Sequence, residues 1–427
     1  MTTKYLLRGG CVLTMGKVNF AEADVLIEGD TIAEVGPGLR ARDAEAIDAT
    51  NTIIMPGFVD AHRHAWQSLF RNQGVPGPLT VLGAHYEADD LYAATLASLL
   101  AALDAGITSL VDWCDIATTQ GHLDAALQAH LDSGIRSVFV LGKSGEPGEW
   151  RALLEQLQKR VVPTGQMIAA GSGDVSSPAA TFLSDWSFAR EHGLSIHAHA
   201  GTTEAEHGLL IDAAAQRKLR GDVTLIHCTR LSDGDLAALA SAGARAVITP
   251  QSEMASGIGF PPMQKLIDHG IRPGLGVDSE ATASGDLFAQ MRAAISLQHA
   301  VLFDQKLAGK AGVPRLLTTR EVIRSATVDG ARACGLARVG SLEPGKAADL
   351  IVLRTDRPNI FPINDPIGAV VWGMDTSNID WVIVAGKPLK RANELIADVD
   401  RTRQLAISAH ERVGKVAGVL ASTGSNK

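Results

Sequence analysis

Between residues 53 and 277 this chain repeats one pattern eight times: an apolar run of strand length, then a longer stretch with helical patterning. The runs lie at 53–59, 107–111, 135–141, 166–170, 194–200, 223–227, 244–249 and 273–277. Neighbouring parallel strands need a crossover of a dozen or more residues, usually a helix, so the alternation predicts a parallel sheet with helices outside it. Gly106, Gly134, Gly193, Gly243 and Gly270 precede several of the runs, where a helix has to stop. Eight such units in about 225 residues match the size and count of a (β/α)8 TIM barrel. A doubly wound open sheet is the alternative, but no G-x-G-x-x-G follows the early strands.

The chain ends have a different texture. Residues 5–54 alternate short apolar runs with Gly9-Gly10, Glu28-Gly29-Asp30 and Gly36-Pro37-Gly38 turns, and similar strands return at 348–353 and 380–384. Two β segments flanking a long middle predict one discontinuous β-sandwich domain made where the ends meet. The expected division is 1–55 and 341–392 for that domain, 56–340 for the barrel, and 393–427 for a C-terminal helix and a loose tail beyond Ala421.

A net charge of −8 and only 4% aromatic residues give neither the basic footprint nor the stacking platforms of a nucleic-acid binder. No segment offers the roughly 20 uninterrupted apolar residues of a membrane span, and the N-terminus lacks a signal-peptide core. Cys11, Cys114, Cys228 and Cys334 are scattered without C-x-x-C spacing, as expected of reduced thiols in a cytoplasmic protein. The expected partner is a small-molecule substrate, with no nucleic acid and no membrane.

The chemistry-bearing residues fall at the C-terminal ends of the runs, where barrel active sites form. His62 and His64 end the first run; residues i and i+2 of an extended chain point the same way, so both imidazoles can reach one metal ion. His197 and His199 end the fifth, His227 the sixth, and Asp278 the eighth. Any one strand-end histidine is ordinarily a hydrogen-bonded structural residue. Five of them with an aspartate, all on one rim, point to a metal.

Pro56-Gly57-Phe58-Val59-Asp60-Ala61-His62-Arg63-His64, Ile226-His227-Cys228, Leu275-Gly276-Val277-Asp278-Ser279 and the segment from Gly340 to Leu350 together resemble the amidohydrolase superfamily, on its cytosine deaminase and triazine hydrolase (chlorohydrolase-like) side. The resemblance covers nearly the whole chain. It implies a barrel with a β-sandwich, and hydrolysis by a metal-activated water. It also implies His62, His64, His199 and Asp278 as ligands of one divalent ion, zinc in preference to iron. His199 is preferred over His197 only because the family's ligand is the later histidine of I-H-x-H; His197 shares its face. Asp278 takes the role of proton acceptor from the water, and His227 that of polarising the substrate's C=O or C=N. Dinuclear members carry a carboxylated lysine on strand 4; residues 166–172 contain none, which favours one metal, with Lys143 an exception only if the strand count slips. Family members commonly form dimers or higher homo-oligomers.

Two positions depart from the family pattern. The deaminases place a proton-shuttling glutamate three residues after the strand 5 histidine; here Thr202 stands there, and a hydroxyl cannot replace a carboxylic acid as donor. Glu204 and Glu206 follow, either swinging in or serving as solvated first-turn residues of the next helix. After strand 7, Thr249-Pro250-Gln251-Ser252-Glu253 carries a carboxylate where the family has asparagine. Glu253 either supplies the missing acid/base function, binds a cationic or N–H-bearing part of the substrate, or braces the loop. Trp66 and Gln67 line the pocket or pack the first helix onto the barrel, and Thr202 can hold substrate or water.

The expected function is metal-dependent hydrolysis of a C–N bond, by deamination or amide or imine hydrolysis, in a small cyclic or N-heteroaromatic compound. Because of Thr202, the alternative is a lyase, hydratase or cyclase using the metal as Lewis acid.

Overall fold

The computed structural model describes residues 3–73, 79–143, 147–161 and 165–418. The Gly/Pro-rich stretch 74–78 and the tail beyond Ala421 therefore lie outside the described residues.

Five strands open the chain: β1 Lys4–Val12, β2 Phe20–Glu28, β3 Thr31–Gly36, β4 Glu45–Asp48 and β5 Thr52–Pro56. Eight more follow, interleaved with helices: β6 Phe58–Arg63, β7 Ile107–Cys114, β8 Arg136–Leu141, β9 Met167–Ser172, β10 Ser195–Ala200, β11 Val223–His227, β12 Arg245–Ile248 and β13 Gly274–Leu275. The last four are β14 Leu350–Arg354, β15 Ile379–Val384, β16 Lys387–Arg391 and β17 Glu394–Leu395.

β6 to β13 pair in sequential order, all parallel. A doubly wound sheet would reverse its order at a switch point, and this one does not. The ends of the series meet through a parallel bridge between Arg63 and Asp278, which makes the sheet a (β/α)8 barrel. Its strands are buried on both faces, which explains why they read as continuous apolar runs rather than alternating ones. Gly106, Gly134, Gly193, Gly243 and Gly270 all have φ between 65° and 78°, the left-handed geometry that lets a chain leave a helix cheaply.

The second sheet runs β17-β16-β15-β14-β5-β1-β2-β3, with β4 beside β1, so it is built from both ends of the chain. It has its own apolar core, including Leu7, Val25, Ile54, Val352 and Ile383. Asp349 ties it to the barrel, accepting from the Arg136 guanidinium at 2.6 and 3.1 Å and from the Ala385 amide at 2.8 Å.

One expected strand is two. The run 53–59 divides between β5 in the second sheet and β6 in the barrel, with Gly57 at the junction. A methyl group there would stand 2.1 Å from the Thr108 side chain, so only glycine permits the crossing. Apolar character is the same on both sides of the junction, which hides it from pattern reading.

The barrel seam uses the same device. The Asp278 amide donates to His62 O (2.8 Å), His64 donates to Asp278 O (2.9 Å), and Val277 donates to the Asp60 carboxylate (2.9 Å). A Cβ on Gly276 would lie 2.8 Å from His62 O and 2.9 Å from His62 N. Gly276→Ala is therefore expected to push β6 away from β13, at a cost on the order of 1–3 kcal/mol. A thermal midpoint measured with and without metal should fall in both cases, and further with metal, because the displaced residue is His62.

Candidate metal centre and active site

At the open rim of the barrel the pairing of β6 with β7 slips between Asp60 and Arg63. This irregularity separates two sets of side chains that simple alternation would mix. Arg63 turns to the helical layer, bonding Asp60 (2.7 Å) and Gly285 O (2.7 Å) and standing 3.4 Å from Glu280, all buried. His62 turns to the inner side.

There the His62 Nε2 lies 3.2 Å from His199 Nε2 and 3.3 Å from Asp278 Oδ1, and His64 Nε2 lies 3.4 Å from the same Asp278 oxygen. His62, His64 and His199 offer nitrogens that all fall within 4.8 Å of one another. Four donors about 2.0–2.1 Å from one tetrahedral ion are about 3.3 Å apart, so the contacts given by this set fit a single divalent metal. The His64 and His199 rings are parallel, 3° apart, and His62 stands across both at 86° and 83°.

Electrostatics agree with a cation site. Burial alone would raise the Asp278 carboxyl, but the His62 hydrogen bond and the charges of His227, His62 and His64 hold it far below the usual range. Burial keeps His62 neutral. Burial also disfavours the charged form of His64, yet Asp115, Asp278 and Asp112 outweigh it and push this ring up to about 9 in the metal-free protein.

His197 lies one step deeper, paired in register with Ser172 and Thr224, and is outside the cluster. Burial, reinforced by Arg245, drives it down to about 3. Lys143 is bound to Asp185 at 2.8 Å, and the strand count stands, so β9 brings no lysine to the cluster.

His227 closes another side, its ring stacked 5.4 Å from His199. Its Nδ1 is 3.3 Å from Glu253 Oε1 and 3.2 Å from Thr249 Oγ1. Glu253 is fully buried in the helix Pro250–Ala255, where its Oε1 also accepts from the Thr249 amide at 2.8 Å. The carboxylate thus stands behind His227. Burial opposes a charge on His227, but Glu253 and Asp278 prevail and raise it.

Thr202 is held differently from a proton donor. Glu206, itself buried, accepts from the amides of Gly201, Thr202 and Thr203 and from the Thr202 hydroxyl (2.8 Å). Glu206 is neither swung toward the cluster nor solvated, whereas Glu204 is exposed beside Arg230. Trp66 is buried, its indole N–H donating to Asp115 at 2.5 Å and its ring crossing Tyr86. Gln67 accepts from the Ser279 hydroxyl.

The structure adds residues the sequence reading passed over. Trp113 lies 4.3 Å from the His199 ring, Asp174 bonds His199 Nδ1 at 3.1 Å, Asp115 stands 3.6 Å from His64 Nδ1, and Ser252 donates to Asp278 Oδ2. Asp115 and Asp174 sit one and two residues past β7 and β9, so the strand-end rule that found the histidines would have found them too.

Asp278, His227 and Cys228 have φ of 66°, 74° and 57°. Left-handed backbone at such residues costs about 1–3 kcal/mol each. At Asp278 the two seam hydrogen bonds, each worth about 0.5–1.5 kcal/mol net, are of the size needed to hold it.

The amidohydrolase family model matches residues 53–389. The chain belongs to the amidohydrolase family. It is 28% identical to a 5-methylthioadenosine/S-adenosylhomocysteine deaminase of Pelotomaculum thermopropionicum, over 92% of this chain and 94% of that one. It is also 28% identical to a 5'-deoxyadenosine deaminase of Methanothermobacter thermautotrophicus, over 91% and 94%. Among solved structures, an adenosine deaminase from Xanthomonas campestris with bound zinc superposes with a TM-score of 0.84 at 22% identity, covering 97% of this chain and 99% of that one. A mutant atrazine chlorohydrolase from Arthrobacter aurescens, complexed with zinc and atraton, gives 0.84 at 22%, covering 95% and 100%.

Two outcomes follow for the amidohydrolase centre. Metal analysis should find about one equivalent per chain, lost in His62→Ala and Asp278→Asn, since removing one of four ligands opens a tetrahedral site. Because metal-free His64 keeps its proton up to about 9, metal uptake at pH 7 should release about one proton. Calorimetry in buffers of different ionisation enthalpy reads that proton, and apparent affinity should climb about tenfold per pH unit until it levels near pH 9.

Proposed function

We propose that this protein is a mononuclear zinc amidohydrolase that deaminates a small N-heteroaromatic compound. The observation that carries the reading is the convergence of His62, His64, His199 and Asp278 on one point, with His227 stacked beside them. The zinc-bound neighbours support zinc over iron, and the deaminase relatives support loss of ammonia over other C–N cleavage.

A divalent ion held by His62, His64, His199 and Asp278 would supply a water of lowered pKa and Lewis-acid polarisation of the substrate. Asp278, whose Oδ1 stands among the histidine nitrogens and whose Oδ2 accepts from Ser252, would both hold the ion and accept a proton from the attacking water. With Nδ1 of His227 committed to Glu253 and Thr249, Nε2 is the nitrogen that faces the substrate and donates to its developing negative charge. Glu253 fixes that orientation from behind. The Thr202 hydroxyl, donating to Glu206, keeps only lone pairs for a substrate N–H. Trp66 and Gln67 shape the wall next to His64, through Asp115 and Ser279.

The barrel, residues 56–340, is the catalytic unit, with 1–55 and 341–392 as its β domain. All four cysteines are free, which supports a cytoplasmic location. Among the described residues no helix is long and apolar enough to cross a membrane. Exposed Val301, Phe303 and Leu307 on one helix, with Trp372 nearby, support a homo-oligomer.

One observation favours a second reading. Thr202 stands where a deaminase carries its shuttle glutamate, and the carboxylate bonded to it, Glu206, is spent on backbone amides. Chemistry needing less proton assistance, such as a lyase, hydratase or cyclase reaction, fits that loop. Ammonia release should be tested with the zinc-loaded protein across adenosine-type nucleosides, purines, pterins, pyrimidines and triazines. Release from at least one class is expected; silence at full zinc occupancy would move the assignment to the second reading. On the substrate so found, Glu253→Gln should lower kcat about 10–100-fold with zinc content unchanged. An unchanged kcat would take Glu253 out of the chemistry.

A further inference from the structure

Among the described residues, His199 is the one of the three clustered histidines with an outward ring nitrogen within hydrogen-bond distance of a carboxylate. The Nδ1 atoms of His62 and His64 are buried without a hydrogen-bond partner among the described residues. Asp115 approaches His64 Nδ1 only to 3.6 Å, beyond hydrogen-bond range, and is engaged by the Trp66 indole instead.

Asp174 is placed otherwise. It lies two residues past the end of β9, where the ladder with β10 has stopped. A single oxygen, Oδ1, accepts from the His199 backbone amide at 2.9 Å and from the His199 ring Nδ1 at 3.1 Å. The next residue, Val175, donates its amide to His199 O at 3.0 Å. Residues 174 and 175 thereby replace the missing ladder on both sides of His199. They fix its backbone and its ring together, and they select the tautomer whose Nε2 is free to bind metal.

We propose that Asp174 is a positioning residue for the metal centre, holding His199 as a preoriented and more basic ligand. The inference rests on the metal reading given above and adds a residue that touches neither the cluster point nor a substrate. Asp115 has the weaker version of this role, because its distance to His64 is too long for the same bond.

The test is zinc affinity, by competition with a chromophoric chelator, in the full-length wild type, Asp174→Ala, Asp174→Asn and Asp115→Ala. Thermal midpoints of the metal-free forms and electronic spectra of the cobalt-loaded forms accompany it. Asp174→Ala should bind zinc about 10–100-fold more weakly than wild type. Asp174→Asn, whose carbonyl still accepts both N–H groups without a charge, should fall between the two. Asp115→Ala should lose less than Asp174→Ala. The metal-free midpoints should stay together while the cobalt spectrum of Asp174→Ala changes.

Wild-type affinity and an unaltered cobalt spectrum in Asp174→Ala would overturn the proposal and leave the metal centre standing. So would a metal-free midpoint lowered in step with affinity and no recovery in Asp174→Asn, which marks a purely structural residue. Failure of the wild type itself to take up zinc would overturn the metal reading along with the inference.

Discussion

The site depends on how the barrel closes. Seven of the eight strand contacts in the barrel are parallel ladders, but the eighth, between β13 and β6, is made by the backbone of residues in the candidate site. Asp278 reaches His62 and His64 through main-chain hydrogen bonds, and its carboxylate then stands within 3.4 Å of both rings. Closure and ligand convergence are one event. A residue at this seam cannot move without opening the barrel and separating the donors.

That coupling explains several expensive features nearby. Arg63, between two of the histidines in sequence, is fully buried with Asp60 and beside Glu280. A buried charge of this kind is poor value for stability against an apolar core of equal volume. Its use here is positional: Asp60 also accepts from Val277, and Gly285 O accepts from Arg63, so the network pins β6 to the loop after β13. Left-handed backbone at Asp278 and His227 belongs to the same set. Strain of a few kcal/mol is tolerated because surrounding hydrogen bonds overdetermine those residues.

Around the cluster, carboxylates do most of the orienting. Asp174 meets His199, Glu253 meets His227, and Asp115 meets Trp66 beside His64. Glu206 does the same for the backbone of the β10 loop rather than for a ring. The β10 loop, where Thr202 stands, is thus closed on itself, while Glu253, past β12, reaches the His227 ring at the end of β11.

The sequence by itself determined the architecture. Eight apolar runs separated by helix-length patterns and stopped by left-handed glycines leave little choice but a parallel barrel, and strand ends are legible because backbone periodicity is local. It also marked the histidines and Asp278, since their types and strand-end positions can be read one run at a time. Only the tertiary structure decided how they meet. Neither the β6 irregularity that turns His62 inward nor the Gly57 junction leaves a mark in an apolar run, because both arise from pairing with distant strands. His199 is separated from His197 by depth in the barrel, a coordinate that alternation does not contain. The carboxylates at 115, 174, 206 and 253 look alike in sequence as acidic residues past strands. Which of them meets a ring, an indole or a row of amides is set by which strands are neighbours, and that is known only once the barrel has closed.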